Sequence, residues 1–411
     1  MNYGIAAILA GGFVFATGAA AASSSSGSYT WPTCGQVTEF PAKSWGAEQP
    51  AGWDEAKLSE ARNLWETLDS AAVTVVHQGR PVALWGDVDR NYTAQSVRKA
   101  LLNSLVGIAV SKRKLALDDT LEELGIDDTR PALTQEERQA TVRDLLLSRS
   151  GIFHSALYEV GGWKKLRAQL AEAKKADSGQ FRPGAYWIYN NWDFNALGTV
   201  AEQALDQSIG EAFDQLVADP IGMQDFSSSN VEYTQKTDST EQRFGNWSEH
   251  RAYMFNISTR DLARYGLLYL NCGSWNGAQV VPRDWVLASL DGVDTRSGRL
   301  PQEQDTDFGD YGYLWQIDRP GSRRLTNLKF REPVYIASGN RGHFMLVAPF
   351  LDLVIAHQVA TEGGVSPEAQ KRRFLKGSPN VTETDLEQLF AAIIAAHPAA
   401  ISALEEVQPE L

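Results

Sequence analysis

The sequence predicts a mixed α/β (α+β) fold, in which an antiparallel sheet flanked by helices carries an inserted, mainly helical domain with a cleft between the two. Alternating β-branched residues on both sides of a glycine turn form a hairpin pattern over residues 72–86. Helical apolar spacing dominates the middle of the chain, and the strongest β pattern covers residues 344–357. Because strands at both ends bracket a helical middle, we expect one sheet built from both ends.

An export signal is predicted at the amino-terminal end. Residues 4–15 are apolar, small residues follow as far as Ala22, and a serine run begins at Ser23. This order is typical of a secretory signal peptide. We therefore predict a signal peptide over residues 1–22, a linker over residues 23–54, and an exported protein, periplasmic or extracellular. An uncleaved membrane anchor is the alternative, because no Lys or Arg precedes the apolar run and about twenty apolar residues span a bilayer.

The hairpin pattern is followed by a series of helices. Its strands are predicted over residues 72–77 and 81–86, and the next helix begins near Ser96 and continues to Val110. Residues 116–249 are predicted to be the helical insertion, with helices over residues 120–124, 141–147, 163–176 and 194–217. Two further helices are predicted over residues 258–269 and 282–290, because a serine cap opens the first and a proline opens the second.

The chain returns to strands in its last third. Strands are predicted over residues 312–317, 334–338, 344–349 and 353–357, and a closing helix over residues 385–394. We assign the sheet to residues 55–115 and 250–395. One domain then spans residues 55–395, and residues 396–411 form a carboxy-terminal tail.

Composition excludes several classes of function. The chain of 411 residues is 43% hydrophobic and 22% charged, which is ordinary for a globular protein with a sizeable core. Its formal net charge of −13 argues against a nucleic-acid surface and against an anionic membrane face. The six histidines are scattered and form no H-E-x-x-H motif, so we predict neither a metal nor another cofactor. Whether Cys34 and Cys272 form one bridge is left open.

The segment Ser96-Val97-Arg98-Lys99 is the first candidate for catalysis. A serine hydroxyl is a weak nucleophile and needs a base and an anion site. Three residues on along a helix, Lys99 lies on the same face as Ser96 and near enough to help take its proton. The first helical turn also leaves the Ser96 N–H free to face a developing oxyanion. Seen alone, the segment is equally a buried helix that begins with a capping serine.

Two other segments are candidates for the same cleft. Tyr189-Asn190-Asn191 lies among aromatic residues before a helix, and a tyrosine beside a lysine ammonium has a lowered pKa and can act as a base. A turn with an asparagine helix cap is the alternative. Ser338-Gly339-Asn340 lies between two strands, where glycine lets a substrate approach the backbone, although a plain hairpin explains it equally well. Second matches at Ser111-Lys112-Arg113-Lys114 and Tyr269-Leu270-Asn271 are interpreted as a helix end and a core residue.

In this order and spacing, the three segments resemble the serine β-lactamase and penicillin-binding-protein superfamily. Residues 142–151, 258–266 and 275–286 are similar to the branch that holds class C β-lactamases, D-alanyl carboxypeptidases, family VIII esterases and 6-aminohexanoate-dimer hydrolases. The resemblance covers roughly residues 55–395. It implies the β-lactamase-like fold, with the active site in the cleft between the sheet and the helical insertion.

The resemblance also implies the catalytic roles. Ser96 would be the nucleophile, and Lys99 would hold or accept its proton. Tyr189 would be the general base toward Ser96 and later the acid for the leaving group. An acyl-enzyme would form first, and water would then attack it.

The binding residues follow from the same resemblance. Asn191 would orient the substrate or the lysine, and the N–H of Asn340 would complete an oxyanion hole with the N–H of the nucleophile. Ser338 and Gly339 would line the substrate-binding edge. Ala337 departs from the family pattern, because a lysine or histidine that helps to hold a substrate carboxylate usually stands at that position.

The sequence therefore predicts a secreted serine hydrolase that cleaves small esters or amides. A penicillin-binding D-alanyl carboxypeptidase, a β-lactamase, and a binding or sensor module that is acylated without turnover are the alternatives. We expect a small ester, amide or peptide-like substrate, no nucleic-acid partner, and no membrane contact after signal cleavage. The oligomeric state is left open.

Overall fold

The central element of the structure, a computed structural model, is an eight-stranded antiparallel sheet with strand order β2-β1-β13-β12-β11-β10-β9-β8. A three-stranded sheet has the order β3-β5-β4, and β6 pairs with β7. The strands are β1 Ala72–His77, β2 Arg80–Gly86, β3 Asn91–Thr93, β4 Val231–Thr234, β5 Ala252–Ser258, β6 Ser274–Trp275, β7 Ala278–Gln279, β8 Val293–Asp294, β9 Asp310–Tyr311, β10 Gln316–Asp318, β11 Val334–Gly339, β12 His343–Ala348 and β13 Leu353–Gln358.

The structure describes residues 34, 35, 37, 40, 52–159, 161–177, 179–238, 241–242, 245–295, 309–322, 324–361 and 380–399. The predicted signal peptide and most of the predicted linker lie outside these residues. The helices in the described ranges are α1 Glu55–Thr67, α2 Arg98–Ser111, α3 Val142–Leu146, α4 Gly161–Ala176, α5 Asn191–Leu205, α6 Ile209–Phe213, α7 Asp219–Ile221, α8 Thr259–Leu270, α9 Arg283–Ser289 and α10 Glu383–Ala395.

Helices cover both faces of the large sheet. On β13, Leu353 and Ile355 join the apolar cluster of α1 and α10, whereas Val354 and Ala356 join the cluster of α8. This alternation follows from the two-residue period of a strand. Helix α8 lies so close to the sheet that a Cβ on Gly266 would lie 2.6 Å from Cγ1 of Val354. The mixed fold with an antiparallel sheet flanked by helices is confirmed.

Several predicted elements agree with the structure, and three differ. The early hairpin, the helix after Ser96 and the late strands are present as β1–β2, α2 and β11–β13. The helix predicted over residues 120–124 is wrong, because Leu121 N–H donates to the carbonyl of Ala140 at 2.9 Å and Glu122 N–H to that of Arg138 at 3.0 Å. Together with the β-bridge between Thr120 and Thr141, these bonds pair the segment with residues 138–141, and residues 121–125 form a turn instead of a helix.

The other two differences concern element bounds. The single helix predicted over residues 194–217 is divided at Asp206, which has a left-handed φ of 57°, and a capping box of Ser208 and Glu211 opens the next helix. Of the strand predicted over residues 312–317, only Gln316 and Ile317 are strand residues. The preceding residues turn, because Gly312 N–H donates to the carbonyl of Trp315 at 2.9 Å.

A disulfide joins Cys34 to Cys272, with their Cα atoms 5.3 Å apart. It ties the lead-in segment to the end of α8, where Gly35 N–H also donates to the carbonyl of Leu270 at 2.8 Å. In the part of the chain that the structure describes, no helix is long and apolar enough to span a bilayer.

Removal of this disulfide tests its contribution to stability. We expect Cys34→Ser/Cys272→Ser to lower the free energy of unfolding by about 2–5 kcal/mol, because a closed loop of this length restricts the unfolded chain. Urea denaturation of the wild type and of the double variant, both without a reducing agent, measures the difference. Dithiothreitol should destabilise the wild type and leave the double variant unchanged; equal midpoints for wild type and variant would contradict the prediction.

Candidate active site

Ser96 lies in a single 3₁₀ turn, Gln95–Val97, that leads directly into α2. The turn is anchored at its base, because Ala94 N–H donates to the carbonyl of Phe255 on β5 at 2.8 Å. N–H groups in such a first turn have no acceptor within their own helix. Ser96 itself is half-buried, whereas α2 is buried from its first residue to Ala109. The turn therefore presents the serine at the edge of a buried helix.

Lys99 lies beside this serine. Its Nζ is 2.9 Å from Oγ of Ser96, within hydrogen-bonding distance, and the lysine is 2% exposed. The amine also lies 4.8 Å from the ring centre of Tyr189 and 4.9 Å from that of Phe194. Burial, with a smaller contribution from the charge of Arg98, holds the pKa of Lys99 well below its ordinary value. A neutral amine next to the serine hydroxyl can accept its proton.

Tyr189 is presented by a loop with a fixed backbone immediately before α5. Asn190 caps α5, since its side-chain oxygen accepts from Trp192 N–H at 3.2 Å, and its amide donates to the carbonyl of Ile152 at 2.7 Å. The phenol of Tyr189 is hydrogen-bonded to Ser96. The predicted asparagine helix cap is confirmed, and it is compatible with a phenol that faces Ser96.

The pKa of Tyr189 moves in the direction opposite to the sequence expectation. Burial raises it to about 12, although the hydrogen bond to Ser96 and the charge of Arg98 oppose the rise. The expected lowering required a lysine ammonium nearby, and burial disfavours the ammonium form of Lys99. At neutral pH the phenol stays protonated and is a proton donor.

Asn191 is the first residue of α5 and is half-buried. Among the described residues no hydrogen bond joins its side chain to Lys99. Both roles predicted for this asparagine stay predictions.

The third segment ends β11 beside the nucleophile turn. A Cβ on Gly339 would lie 2.9 Å from the carbonyl oxygen of Ala94 and 3.0 Å from Cβ of Gln95, which is too close for any residue but glycine. Ser338 and Gly339 are half-buried, and Asn340, the next residue, is exposed. The close approach therefore brings the Asn340 turn next to the turn that holds Ser96.

Arg98 is a feature of the site that the sequence argument passed over. It is 1% exposed, its guanidinium carbon lies 4.4 Å from the ring centre of Tyr253, and Nη2 lies 3.3 Å from Oδ1 of Asn195. Within the described ranges no carboxylate pairs with it. The positive charge of Arg98 disfavours a positive charge on the neighbouring Lys99. In the sequence, the signal for this feature is the pair of adjacent cationic residues, Arg98 and Lys99, at the start of an apolar run.

The second matches to the motifs are structural, as predicted. Ser111 ends α2 and donates to the carbonyl of Ile108 at 2.9 Å. Tyr269 is 1% exposed, and its hydroxyl donates to Oδ1 of Asn103. In the described part of the chain, no group of three His, Cys, Asp or Glu side chains is arranged to hold a metal ion.

Substitution of Gly339 tests the close approach of β11. We expect Gly339→Ala to slow the reaction of Ser96 with a fluorophosphonate by about tenfold or more, because the added methyl group moves the strand away from the serine turn. Stopped-time labelling measures the rate. Gly179→Ala is the matched control, since its methyl group would meet only Oδ1 of Asp177, at 3.5 Å; equal rates in the two variants would contradict the prediction.

Comparisons with known proteins agree with this architecture. The Beta-lactamase family model matches residues 60–376. A candidate 6-aminohexanoate-dimer hydrolase from Bacillus anthracis superposes with a TM-score of 0.56 at 17% identity, covering 89% of each chain. EstCE1, a hydrolase with promiscuous acyltransferase activity, gives 0.53 at 12% identity, covering 82% of this chain and 98% of its own.

A relative is also found by sequence. An uncharacterized protein of Alkalihalophilus pseudofirmus is 22% identical over 319 residues, which is 72% of this chain and 85% of the relative. The structural likenesses, at their low identities, support the fold, and the family model covers most of the chain. The chain belongs to the β-lactamase family, a family of hydrolases that share this fold.

Proposed function

We propose that the protein is a secreted serine hydrolase that cleaves small esters or amides through an acyl-enzyme on Ser96. The observation that carries the proposal is the buried Lys99 amine, 2.9 Å from Oγ of Ser96. Such an amine is within reach of the serine proton, and burial lowers its pKa from the ordinary lysine value toward the range in which a general base works. The phenol of Tyr189, hydrogen-bonded to the same serine, supplies a second proton carrier.

In the proposed acylation step, Oγ of Ser96 bonds to the substrate carbonyl carbon while its proton passes to Lys99. The carbonyl oxygen becomes an oxyanion, which the N–H groups of Ser96 and Asn340 stabilise. The carbon–oxygen or carbon–nitrogen bond then breaks. The leaving alcohol or amine takes a proton from Tyr189, and the phenolate regains one from the Lys99 ammonium.

Deacylation follows the same route in reverse. Water attacks the acyl carbon and passes its proton to Lys99, and the second tetrahedral intermediate expels the Ser96 alkoxide, which regains the proton. The products are the free acid and the restored serine hydroxyl. No proton is gained or lost by the enzyme over the cycle.

The residue at the start of the third segment favours substrates without a carboxylate beside the reacting carbonyl. Ala337 is 4% exposed and carries no charge, whereas the family pattern has a cation at this position. A substrate carboxylate beside this position would not meet the cation that the family pattern places there. Small esters and amides are therefore preferred over penicillins and D-alanyl peptides.

Export is proposed on two observations. The chain begins with the apolar and small-residue pattern of a signal peptide. The bridge between Cys34 and Cys272 is of the kind that persists in oxidising compartments.

Labelling of the serine tests the proposed function. We expect a fluorophosphonate to label the wild type and not Ser96→Ala, and p-nitrophenyl acetate or butyrate to be turned over by the wild type alone. Lys99→Met should lower turnover by about 10²–10⁴, the range for loss of a general base. In-gel fluorescence and release of p-nitrophenol are the readouts.

The same experiment separates the alternatives when a fluorescent penicillin is added. Stable penicillin labelling of Ser96 without ester turnover would support a penicillin-binding or sensor protein instead. Hydrolysis of the penicillin would support a β-lactamase. Equal fluorophosphonate labelling of wild type and Ser96→Ala would remove the serine as nucleophile.

The pH dependence of kcat/KM tests which group is the base. The rate should rise with pH as Lys99 loses its proton, and the rise should end well below 10.5, the ordinary lysine value, because burial lowers this pKa. In Tyr189→Phe we expect kcat/KM to rise over the same pH range and to reach a lower plateau. If the tyrosine were the base, kcat/KM of the wild type would rise near pH 12. A rise there, or loss of the rise in Tyr189→Phe, would assign the role of base to the tyrosine.

A further inference from the structure

A buried chain of hydrogen bonds supports the turn that follows β11. Nε2 of His357 lies 2.7 Å from Oγ of Ser70, and its Nδ1 lies 2.6 Å from the carbonyl oxygen of Gly342. His357 is fully buried on β13, and Ser70 is 9% exposed. Ser70 precedes β1 and Gly342 precedes β12, so the chain of bonds joins three separate parts of the large sheet.

Chemistry fixes the direction of both bonds. A carbonyl oxygen only accepts, so Nδ1 of His357 carries the hydrogen and donates to Gly342. In a neutral ring Nε2 is then the acceptor, and the Ser70 hydroxyl donates to it. Burial lowers the pKa of His357 to about 4, and the ring is therefore neutral at ordinary pH. One tautomer satisfies all three groups.

The turn that His357 contacts has an unusual backbone. It spans Asn340–Gly342, and both Arg341, with a φ of 68°, and Gly342, with a φ of 99°, are left-handed. Such conformations persist only where the surroundings hold them. Among the residues that the structure describes, one backbone bond outside the strand pairing supports the turn, from Val381 N–H to the carbonyl of Arg341 at 3.3 Å. The bond from His357 is shorter and comes from the sheet itself.

We propose that His357, held by Ser70, is a positioning residue that fixes the Asn340–Gly342 turn and thereby the Asn340 N–H relative to Ser96. This inference rests on the proposed function, in which that N–H stabilises the oxyanion. Gly339 already contacts the serine turn on one side of Asn340. The bond to Gly342 holds the other side, so the N–H between them has its direction fixed at both ends.

Two substitutions of similar size separate hydrogen bonding from packing. Asparagine places an amide near the position of Nδ1, and leucine fills a similar volume without a donor. We expect His357→Leu to lower kcat for p-nitrophenyl acetate by about 10–100-fold with little change in KM, since a misplaced oxyanion donor weakens only the transition state. His357→Asn should stay within about fivefold of the wild type, because its amide still donates to Gly342.

Further variants keep the test decisive. His357→Gln places its amide near the Ser70 side of the ring, so it should lose activity as the leucine variant does while it retains a buried polar group. Ser70→Ala should lower kcat, though by less than His357→Leu does, because Nε2 loses its donor while Nδ1 still donates to Gly342. If His357→Leu does not fold, the glutamine and asparagine variants provide the same comparison.

The outcomes are distinct from those of the proposed function. Loss of labelling in Ser96→Ala, measured in parallel, establishes the nucleophile whatever the histidine variants show. Equal losses in the asparagine, glutamine and leucine variants would reduce His357 to a packing residue, and full activity in all three would overturn its positioning role. If only His357→Asn retains activity, and KM and the thermal unfolding temperature are the same in all three variants, the positioning role would be supported.

Discussion

Burial of one lysine amine against one serine hydroxyl is the constraint on which the site depends. An exposed lysine holds its proton at neutral pH and cannot take another. Burial weakens that preference in Lys99, because α2 is buried along almost its whole length and the ring centres of Tyr189 and Phe194 lie 4.8 and 4.9 Å from the amine. The positive charge of the neighbouring Arg98 adds to the effect. The burial of α2 therefore determines the pKa of Lys99 as much as its residue type does.

The remaining elements arrange donors around that pair. Helix α5 and its capped loop hold Tyr189 against the serine, and β11 brings the Asn340 turn to the same place. The second arrangement depends on a sheet built from the two ends of the chain, because β1 pairs with β13 and β11 lies two strands further on. The early hairpin and the late strands therefore form one scaffold for residues that lie more than 240 positions apart.

The sequence was informative where local pattern decides the structure. Period-two alternation predicted the hairpin, and an apolar run predicted α2. Local pattern failed over residues 120–124, where backbone bonds to residues 138 and 140 displaced the helix. It also gave the wrong direction for the pKa of Tyr189, because burial is a property of the folded molecule. The Ser70–His357 contact spans 287 positions, and no spacing rule connects such residues.

At Ala337 the site lacks the cation of the family pattern, and with it one way to bind a substrate carboxylate. A cation there would hold a substrate carboxylate in the ground state and in the transition state alike, and such uniform binding lowers KM without raising kcat. In the proposed mechanism, which has no such cation, rate enhancement depends more heavily on donors that act only when the oxyanion forms. The position of the Asn340 N–H then matters more than in a site with a charge anchor. A turn held from Gly339 on one side and from His357 on the other meets that requirement.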